Sequence, residues 1–202
     1  MISGLYAITP DCDEGLARKV ESALKGGARV LQYRNKSADH QKKMEQALSL
    51  KKLCKAHGVP LIINDDIDLA IEIDADGAHV GSDDLEIGLA RRRLKKKLLG
   101  VSCYDSIELA VQAQYLGADY VAFGSFFPSS TKPDAVKASP GLLQMSKLSI
   151  KIPVVAIGGI TPENGELLIE SGADALAVIS SLFDAPDITA SARQFSELFY
   201  EK

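Results

Sequence analysis

Short apolar runs alternate with longer segments of helical period along the whole chain, the pattern of repeated βα units around a parallel sheet. Eight runs stand out: Leu5 to Ile8, Val30 to Arg34, Leu61 to Asn64, Ala78 to Val80, Leu98 to Ser102, Tyr120 to Phe123, Val154 to Ile157 and Leu176 to Ile179. Between them the helical period is clearest over Glu14 to Lys25, His40 to His57, Ser106 to Leu116, Glu163 to Ser171 and Ile188 to Tyr200. Shared among eight units, the 202 residues leave about 25 per unit, which suits a (β/α)8 barrel near its lower size limit. The expected fold is therefore α/β, a TIM barrel forming a single domain over residues 1–202.

An internal repeat supports that count. A Gly-Ala-Asp-like turn precedes a strand four times, at Gly27-Ala-Arg-Val, Asp76-Gly-Ala-His, Gly117-Ala-Asp-Tyr and Gly172-Ala-Asp-Ala. The copies recur roughly every 40 to 55 residues, the length of a βαβα quarter of a barrel, and open the even-numbered strands. Glycine there has a physical reason, because the residue closing a helix usually takes positive φ. A doubly wound open sheet is the competing topology, but its first turn should carry a Gly-rich phosphate fingerprint, and Leu5-Tyr-Ala-Ile-Thr-Pro-Asp-Cys has none.

Composition then excludes several classes. With 46% apolar and 25% charged residues, the chain reads as an ordinary globular protein. Its three cysteines, Cys12, Cys54 and Cys103, are odd in number and outside any CxxC spacing, so neither a disulfide framework nor a zinc site is expected. No signal-like or membrane-spanning run is present, which points to a cytoplasmic protein with no membrane partner. A net charge of -4 and a pI near 5.4 argue against nucleic-acid binding. The basic run Arg91-Arg-Arg-Leu-Lys-Lys-Lys97 sits where the fourth helix should end, and its cations would face the negative end of that helix. Small-molecule chemistry is the remaining default.

In a barrel the chemistry collects where strands pass into the following loops. After the second strand, Gln32, Arg34 and Lys36 alternate, so they face one way for as long as the backbone stays extended. Asp65 and Asp84 follow neighbouring strands; either could cap a helix, and together they suit a hard cation that keeps its waters and shares substrate phosphates, magnesium rather than zinc. His79 lies inside a short apolar strand and reads as a satisfied core residue. Ser102 stands at the rim, and beside it Cys103 has no neighbouring group to lower its pKa. The long segment after the sixth strand, Ser129-Ser-Thr-Lys132 onward, has the length of a binding loop and carries hydroxyls and a lysine that suit an anion. Ile157-Gly-Gly-Ile-Thr-Pro162 and Val178-Ile-Ser180 follow the seventh and eighth strands, where barrels commonly bind phosphate.

Taken together, these motifs carry a family resemblance. Gly4-Leu-Tyr-Ala-Ile-Thr-Pro10, Gln32-Tyr-Arg-Asn-Lys36, Ile63-Asn-Asp65, Gly81-Ser-Asp-Asp84, Gly100-Val-Ser102, the Phe-Pro-Ser-Ser-Thr-Lys132 loop, Ile157-Gly-Gly-Ile160 and Val178-Ile-Ser180 together resemble the thiamine phosphate synthase family, in order and over nearly the whole chain. The resemblance implies a transferase that joins hydroxymethylpyrimidine diphosphate to a thiazole phosphate and releases diphosphate. It implies contacts to the pyrimidine diphosphate from Gln32, Tyr33, Arg34, Asn35, Lys36, Asn64, Ser102 and Lys132. Contacts to the thiazole phosphate would come from Ser129, Ser130, Thr131, Gly159, Ile179 and Ser180, with Mg2+ held by Asp65 and Asp84. Arg34, Lys36, Ser102 and Lys132 would carry catalysis, by a dissociative route in which a pyrimidine-stabilised carbocation is captured by the thiazole nitrogen. Departures from the family pattern are Asp66, Ser82, Cys103-Tyr104, Ser125 and Ser129, most of them beside the implied contacts.

Three other readings stand beside it. A thiazole tautomerase of similar fold should lack the Gln-x-Arg-x-Lys run and the loop lysine. A phosphate-binding barrel without catalysis needs only the phosphate loops. A Schiff-base aldolase needs a lysine emerging from a strand into a dry pocket, and no strand interior here contains one. A homo-oligomer is compatible with all of them.

Overall fold

The computed structural model describes residues 2–12, 14–81, 87–128 and 138–200. The strands are β1 Gly4–Ile8, β2 Val30–Tyr33, β3 Leu61–Asn64, β4 Gly77–Val80, β5 Leu98–Tyr104, β6 Tyr120–Phe123, β7 Val154–Ile157 and β8 Ala175–Val178. Each pairs in parallel with the next, and β8 closes on β1, so the sheet is a barrel. The helices are α1 Leu16–Lys25, α2 His40–His57, α3 Ile67–Glu72, α4 Ile87–Leu94, α5 Ile107–Tyr115, α6 Pro140–Ser146, α7 Pro162–Glu170, the short α8 Ser180–Phe183 and α9 Ile188–Glu197. All eight expected strands are present, with ends that move by one or two residues.

The strands read as unbroken apolar runs because both of their faces are buried. One face fills the barrel with Tyr6, Ile8, Val30, Ile62, Tyr120, Ala122, Val155, Ala175 and Ala177. The other meets the helices: Leu5, Leu31, Ile63, Leu99, Val121 and Leu176 pack with Val20, Leu24, Leu50, Leu69, Leu168 and Phe195. Register keeps the faces apart, since Tyr6 lies beside Val30 and Ala177, and Gly100 lies beside His79 and Tyr120.

The repeated turn closes the N-terminal rim. Gly27, Gly117 and Gly172 take φ of 106, 92 and 114, the left-handed geometry expected of a residue that ends a helix. The aspartates of the repeat tie neighbouring strands together: Asp76 accepts from the Leu61 amide, Asp119 from Leu99 and Asp174 from Val154, each at 2.8 Å. Cations join two of them, Arg91 on Asp119 at 2.8 Å and Lys147 on Asp174 at 2.9 Å. Gly77 departs from its counterparts because it lies inside β4, where a Cβ would come within 2.2 Å of the Leu98 carbonyl oxygen.

The basic run is structural. Arg91 donates to the carbonyls of Lys95 and Lys97 beyond the end of α4, Arg93 pairs with Asp68, and Lys97 reaches Asp74 and the Ala75 carbonyl. No helix among the described residues is long and apolar enough to cross a membrane.

Candidate active site

At the C-terminal rim a cleft of about 520 Å³ opens beside the ends of β2 and β3. It brings together Tyr33, Arg34, Asn35, Lys36, Asn64 and Asp65 of the expected site.

The alternation expected of Gln32, Arg34 and Lys36 ends early, because β2 stops at Tyr33 and the chain bends from Lys36. Gln32 stays on the inner face of the barrel, 3% exposed. The backbone of Arg34 is bound on both sides by Thr9, whose hydroxyl accepts from its amide and donates to its carbonyl, both at 2.8 Å. Its guanidinium shares one Nη1 between the two oxygens of Asp11 at 3.2 Å, and Asp11 also accepts the Lys36 amide at 2.9 Å. Lys36 itself is exposed. Thr9 belongs to the first of the resemblance motifs, whereas Asp11 lies just past it; its place beyond the first strand, on the same rim, is the signal for it.

Two residues expected at the substrate are turned to structural work. Tyr33 faces the helix layer, 2% exposed, and its hydroxyl donates to Gln46 of α2 at 2.8 Å. Asn35 is buried, accepts from the amides of Ser37 and Ala38, and donates to the same Gln46 at 3.1 Å. An outward-facing strand position and an Asx-type turn account for them.

The end of β3 separates two adjacent acids. Asp66 caps α3, accepting from the Leu69 amide at 2.9 Å, so capping does not fall to Asp65. Asp65 takes φ 62, a conformation that few residues besides Gly, Asn and Asp accept, and its amide donates to the His79 carbonyl at 2.8 Å. Its exposed carboxylate accepts from Asn64 Nδ2 at 2.7 Å. As a donor set for a cation this is oxygen only, since His79 is engaged elsewhere and Cys103 faces the outer layer; that fits magnesium and not zinc. Among the described residues no three acidic, His or Cys side chains cluster as a complete metal site. Asp84, the second expected ligand, lies outside the described residues, as do Ser129, Ser130, Thr131 and Lys132.

Ser102 joins a chain of polar groups inside the barrel that the sequence reading did not foresee. Its Oγ lies 2.9 Å from His79 Nε2, and His79 Nδ1 lies 3.1 Å from the Tyr120 hydroxyl. Tyr120 meets Tyr6 hydroxyl to hydroxyl at 2.7 Å, and Gln32 Nε2 donates to Tyr6 at 2.8 Å. Burial pushes the His79 pKa down to about 4, so its ring is neutral at pH 7, and burial raises both tyrosines. His79 is the satisfied buried residue the sequence suggested, with Ser102 as one partner. The Cys103 thiol is pushed by burial up to about 12, which leaves it protonated and unsuited to attack.

On the opposite side of the mouth, the loops after β6, β7 and β8 converge. The Phe126 and Phe127 amides donate to the carbonyls of Ile157 and Gly158 at 3.2 and 3.0 Å. Gly159, at φ 61, lies so near this segment that a Cβ would meet the Pro128 carbonyl oxygen at 2.3 Å. Ser181 binds the Ile160 carbonyl, which draws the half-buried Ile179 and Ser180, at the start of α8, toward Gly159. Asn164 holds the start of α7, accepting from the Thr161 amide at 2.9 Å and donating to the Gly159 carbonyl at 3.1 Å.

A family model and the relatives of high identity point to one family. A family model described as thiamine monophosphate synthase matches residues 5–182. The thiamine-phosphate synthase of Nitrosomonas eutropha is 52% identical over 202 residues, covering 98% of this chain and 95% of the relative. That of Thiobacillus denitrificans is 52% identical over 200 residues, covering 97% and 94%. Among solved structures, thiamine phosphate pyrophosphorylase from Pyrococcus furiosus superposes with a TM-score of 0.91 at 34% identity, covering 98% and 96%.

Proposed function

The chain belongs to the thiamine monophosphate synthase family and is a transferase that makes thiamine phosphate, and from that premise we propose how its residues share the work. Hydroxymethylpyrimidine diphosphate occupies the β2–β3 side of the mouth, with Gln32 and Ser102 on the pyrimidine and Arg34, Lys36, Asn64 and Lys132 on the diphosphate. Thiazole phosphate occupies the other side, with its phosphate against Gly159, Ile179 and Ser180 and the segment Ser129 to Thr131. Tyr33 and Asn35 serve from behind, by holding the loop that carries Arg34 and Lys36.

The bond between the pyrimidine methylene and the diphosphate oxygen breaks first, and its electron pair leaves with the diphosphate. The resulting carbocation is stabilised by the aminopyrimidine ring, and the thiazole nitrogen then forms the new C–N bond. Such a reaction needs stabilisation of the departing charge rather than a nucleophile or base. Mg2+, held by Asp65 and Asp84, would neutralise charge on the diphosphate when bound. Arg34 and Lys36 supply positive charge from the protein itself, and the buried wall of the barrel keeps water from the cation.

One observation carries this reading. The rim is equipped to stabilise charge, with Arg34 and Lys36 beside the exposed Asp65, whereas Cys103 is protonated and the neutral imidazole of His79 is occupied at both nitrogens. The test is incubation of the purified protein with both substrates and magnesium, followed for thiamine phosphate and diphosphate. Formation of both in equal amounts is expected; a folded protein that makes neither would overturn the reading.

A further inference from the structure

The barrel interior should be apolar packing, yet five of its inward residues, from β1, β2, β4, β5 and β6, form one line of hydrogen bonds: Gln32, Tyr6, Tyr120, His79 and Ser102. The line is built into the fold. Gly100 leaves the space for it, since a Cβ there would lie 2.3 Å from the Tyr120 hydroxyl and 2.5 Å from His79 Nδ1. Tyr6 and Tyr120 are 1% and 0% exposed, so none of their protons can turn to bulk water.

We propose that Tyr6, Tyr120 and His79 are positioning residues that set, as one unit, the hydrogen-bonding sense in which Gln32 and Ser102 meet an aminopyrimidine. The proposal rests on the reading that Gln32 and Ser102 contact that ring, and it concerns the groups behind them.

Each proton along the line can be counted. Gln32 donates an N–H to the Tyr6 oxygen, so the proton of Tyr6 goes to Tyr120. The proton of Tyr120 then goes to His79 Nδ1, which must be the bare nitrogen of a neutral ring. His79 therefore carries its proton on Nε2 and donates it to Ser102 Oγ, which leaves the proton of Ser102 for the ligand. If Nδ1 were protonated instead, Tyr120 would donate to Tyr6 and Tyr6 would need an acceptor from Gln32, so the amide would have to turn and offer the ligand its N–H groups rather than Oε1. The two ends thus present Gln32 Oε1 as an acceptor and Ser102 O–H as a donor. An aminopyrimidine matches that pair, because its amino group donates and its ring nitrogens accept. A ring with oxo in place of amino reverses one of the two and is disfavoured.

The test is first spectroscopic. In the full-length protein labelled with 15N-histidine, long-range 15N–1H correlation, assigned by its loss in His79→Gln, should show His79 protonated on Nε2. Protonation on Nδ1 overturns the proposal. The second measurement is kinetic. Tyr120→Phe removes the group that holds Nδ1 bare, and should raise KM for the pyrimidine diphosphate about tenfold while leaving KM for thiazole phosphate within about twofold. Tyr6→Phe should do the same more weakly and serves if Tyr120→Phe does not fold. Equal KM for both substrates before and after, or an equal rise in both, also overturns it. Wild-type turnover measured on the same preparation separates the failures: turnover with the wrong tautomer sinks the relay and leaves the site standing, whereas absent turnover sinks the site.

Discussion

The two rims of the barrel both carry aspartates, and only at the lower rim does every one in the repeat serve the fold. At the N-terminal rim, Asp76, Asp119 and Asp174 each accept an amide from the first two residues of a neighbouring strand, and two of them also hold a cation. These carboxylates are closed inside the fold's own bonding. At the C-terminal rim Asp39 and Asp66 cap helices and Asp11 accepts the Lys36 amide, but one acid is placed differently. Asp65 stands exposed at the cleft, and Asp11 meets the guanidinium of Arg34. The contrast follows from the geometry of parallel βα units. Helices return to the N-terminal rim through short turns that repeat, whereas the loops at the other rim differ and are available to a ligand. The same residue type is therefore a structural tie below and, at Asp65, an exposed carboxylate at the cleft above.

The largest effect that could break this contrast is at Asp65. Because Asp65 takes positive φ, alanine would add backbone strain, and asparagine is the cleaner change. Asp65→Asn should lower kcat/KM by about a hundredfold or more at fixed magnesium and raise the magnesium requirement, with a melting temperature within about 2 °C of wild type. A variant as active as wild type would place Asp65 with the ties of the lower rim.

A pH series sharpens the comparison, since only the upper rim stands on a buried imidazole. The folded-state pKa of His79 is about 4, below its value in the unfolded chain, so the unfolded chain binds the proton first as pH falls. The stability tied to His79 is thus full above about pH 6.5 and is lost between about pH 6.5 and pH 4, a loss on the order of 3 kcal/mol. Thermal melts over that window should fall more steeply for wild type than for His79→Gln. Parallel slopes would mean that His79 is not held neutral.

At the lower rim, Asp119→Ala strips the acceptor from the amide of the fully buried Leu99 and one partner from Arg91. The expected cost is ~1–3 kcal/mol, seen as a melting point lower by several degrees, with turnover per folded molecule unchanged. A loss of turnover at full stability would erase the distinction between the rims.

The sequence displayed the lower rim and the strands far better than the upper rim. A strand buried on both faces is a short apolar run, and the Gly-Ala-Asp turn repeats, so both were visible locally. The upper rim depends on direction. Gln32, Arg34 and Lys36 share a face only in an extended strand, and the strand stops at Tyr33. Which of Asp65 and Asp66 caps α3 depends on the positive φ at Asp65, which two adjacent acids do not reveal. The interior line was hidden because Tyr6, His79 and Tyr120 read singly as core, and Tyr6 meets Tyr120 across 114 positions.

Arg34 tests the upper rim at the next scale. Arg34→Lys keeps the charge and loses the planar fork, so kcat/KM should fall about tenfold if the guanidinium meets phosphate oxygens in pairs. Unchanged kinetics would reduce Arg34 to a solvated partner of Asp11.

The smallest effect concerns Asp11 itself, the upper-rim acid whose bonds most resemble those below. Its contact with Arg34 is a single Nη1 shared at 3.2 Å with both oxygens, and the Asp11 side chain is 39% exposed, so the pair contributes little to stability. Its bond to the Lys36 amide at 2.9 Å is the tighter one and needs an oxygen rather than a charge. Asp11→Asn keeps that oxygen and removes the negative charge that competes with diphosphate for Arg34. KM for the pyrimidine diphosphate should therefore fall about twofold, most clearly at low salt, with kcat unchanged. Steady-state kinetics at two ionic strengths decide it. A tenfold rise in KM would mean that Asp11 orients Arg34 for the substrate, and the upper rim would then hold a tie of the kind found below.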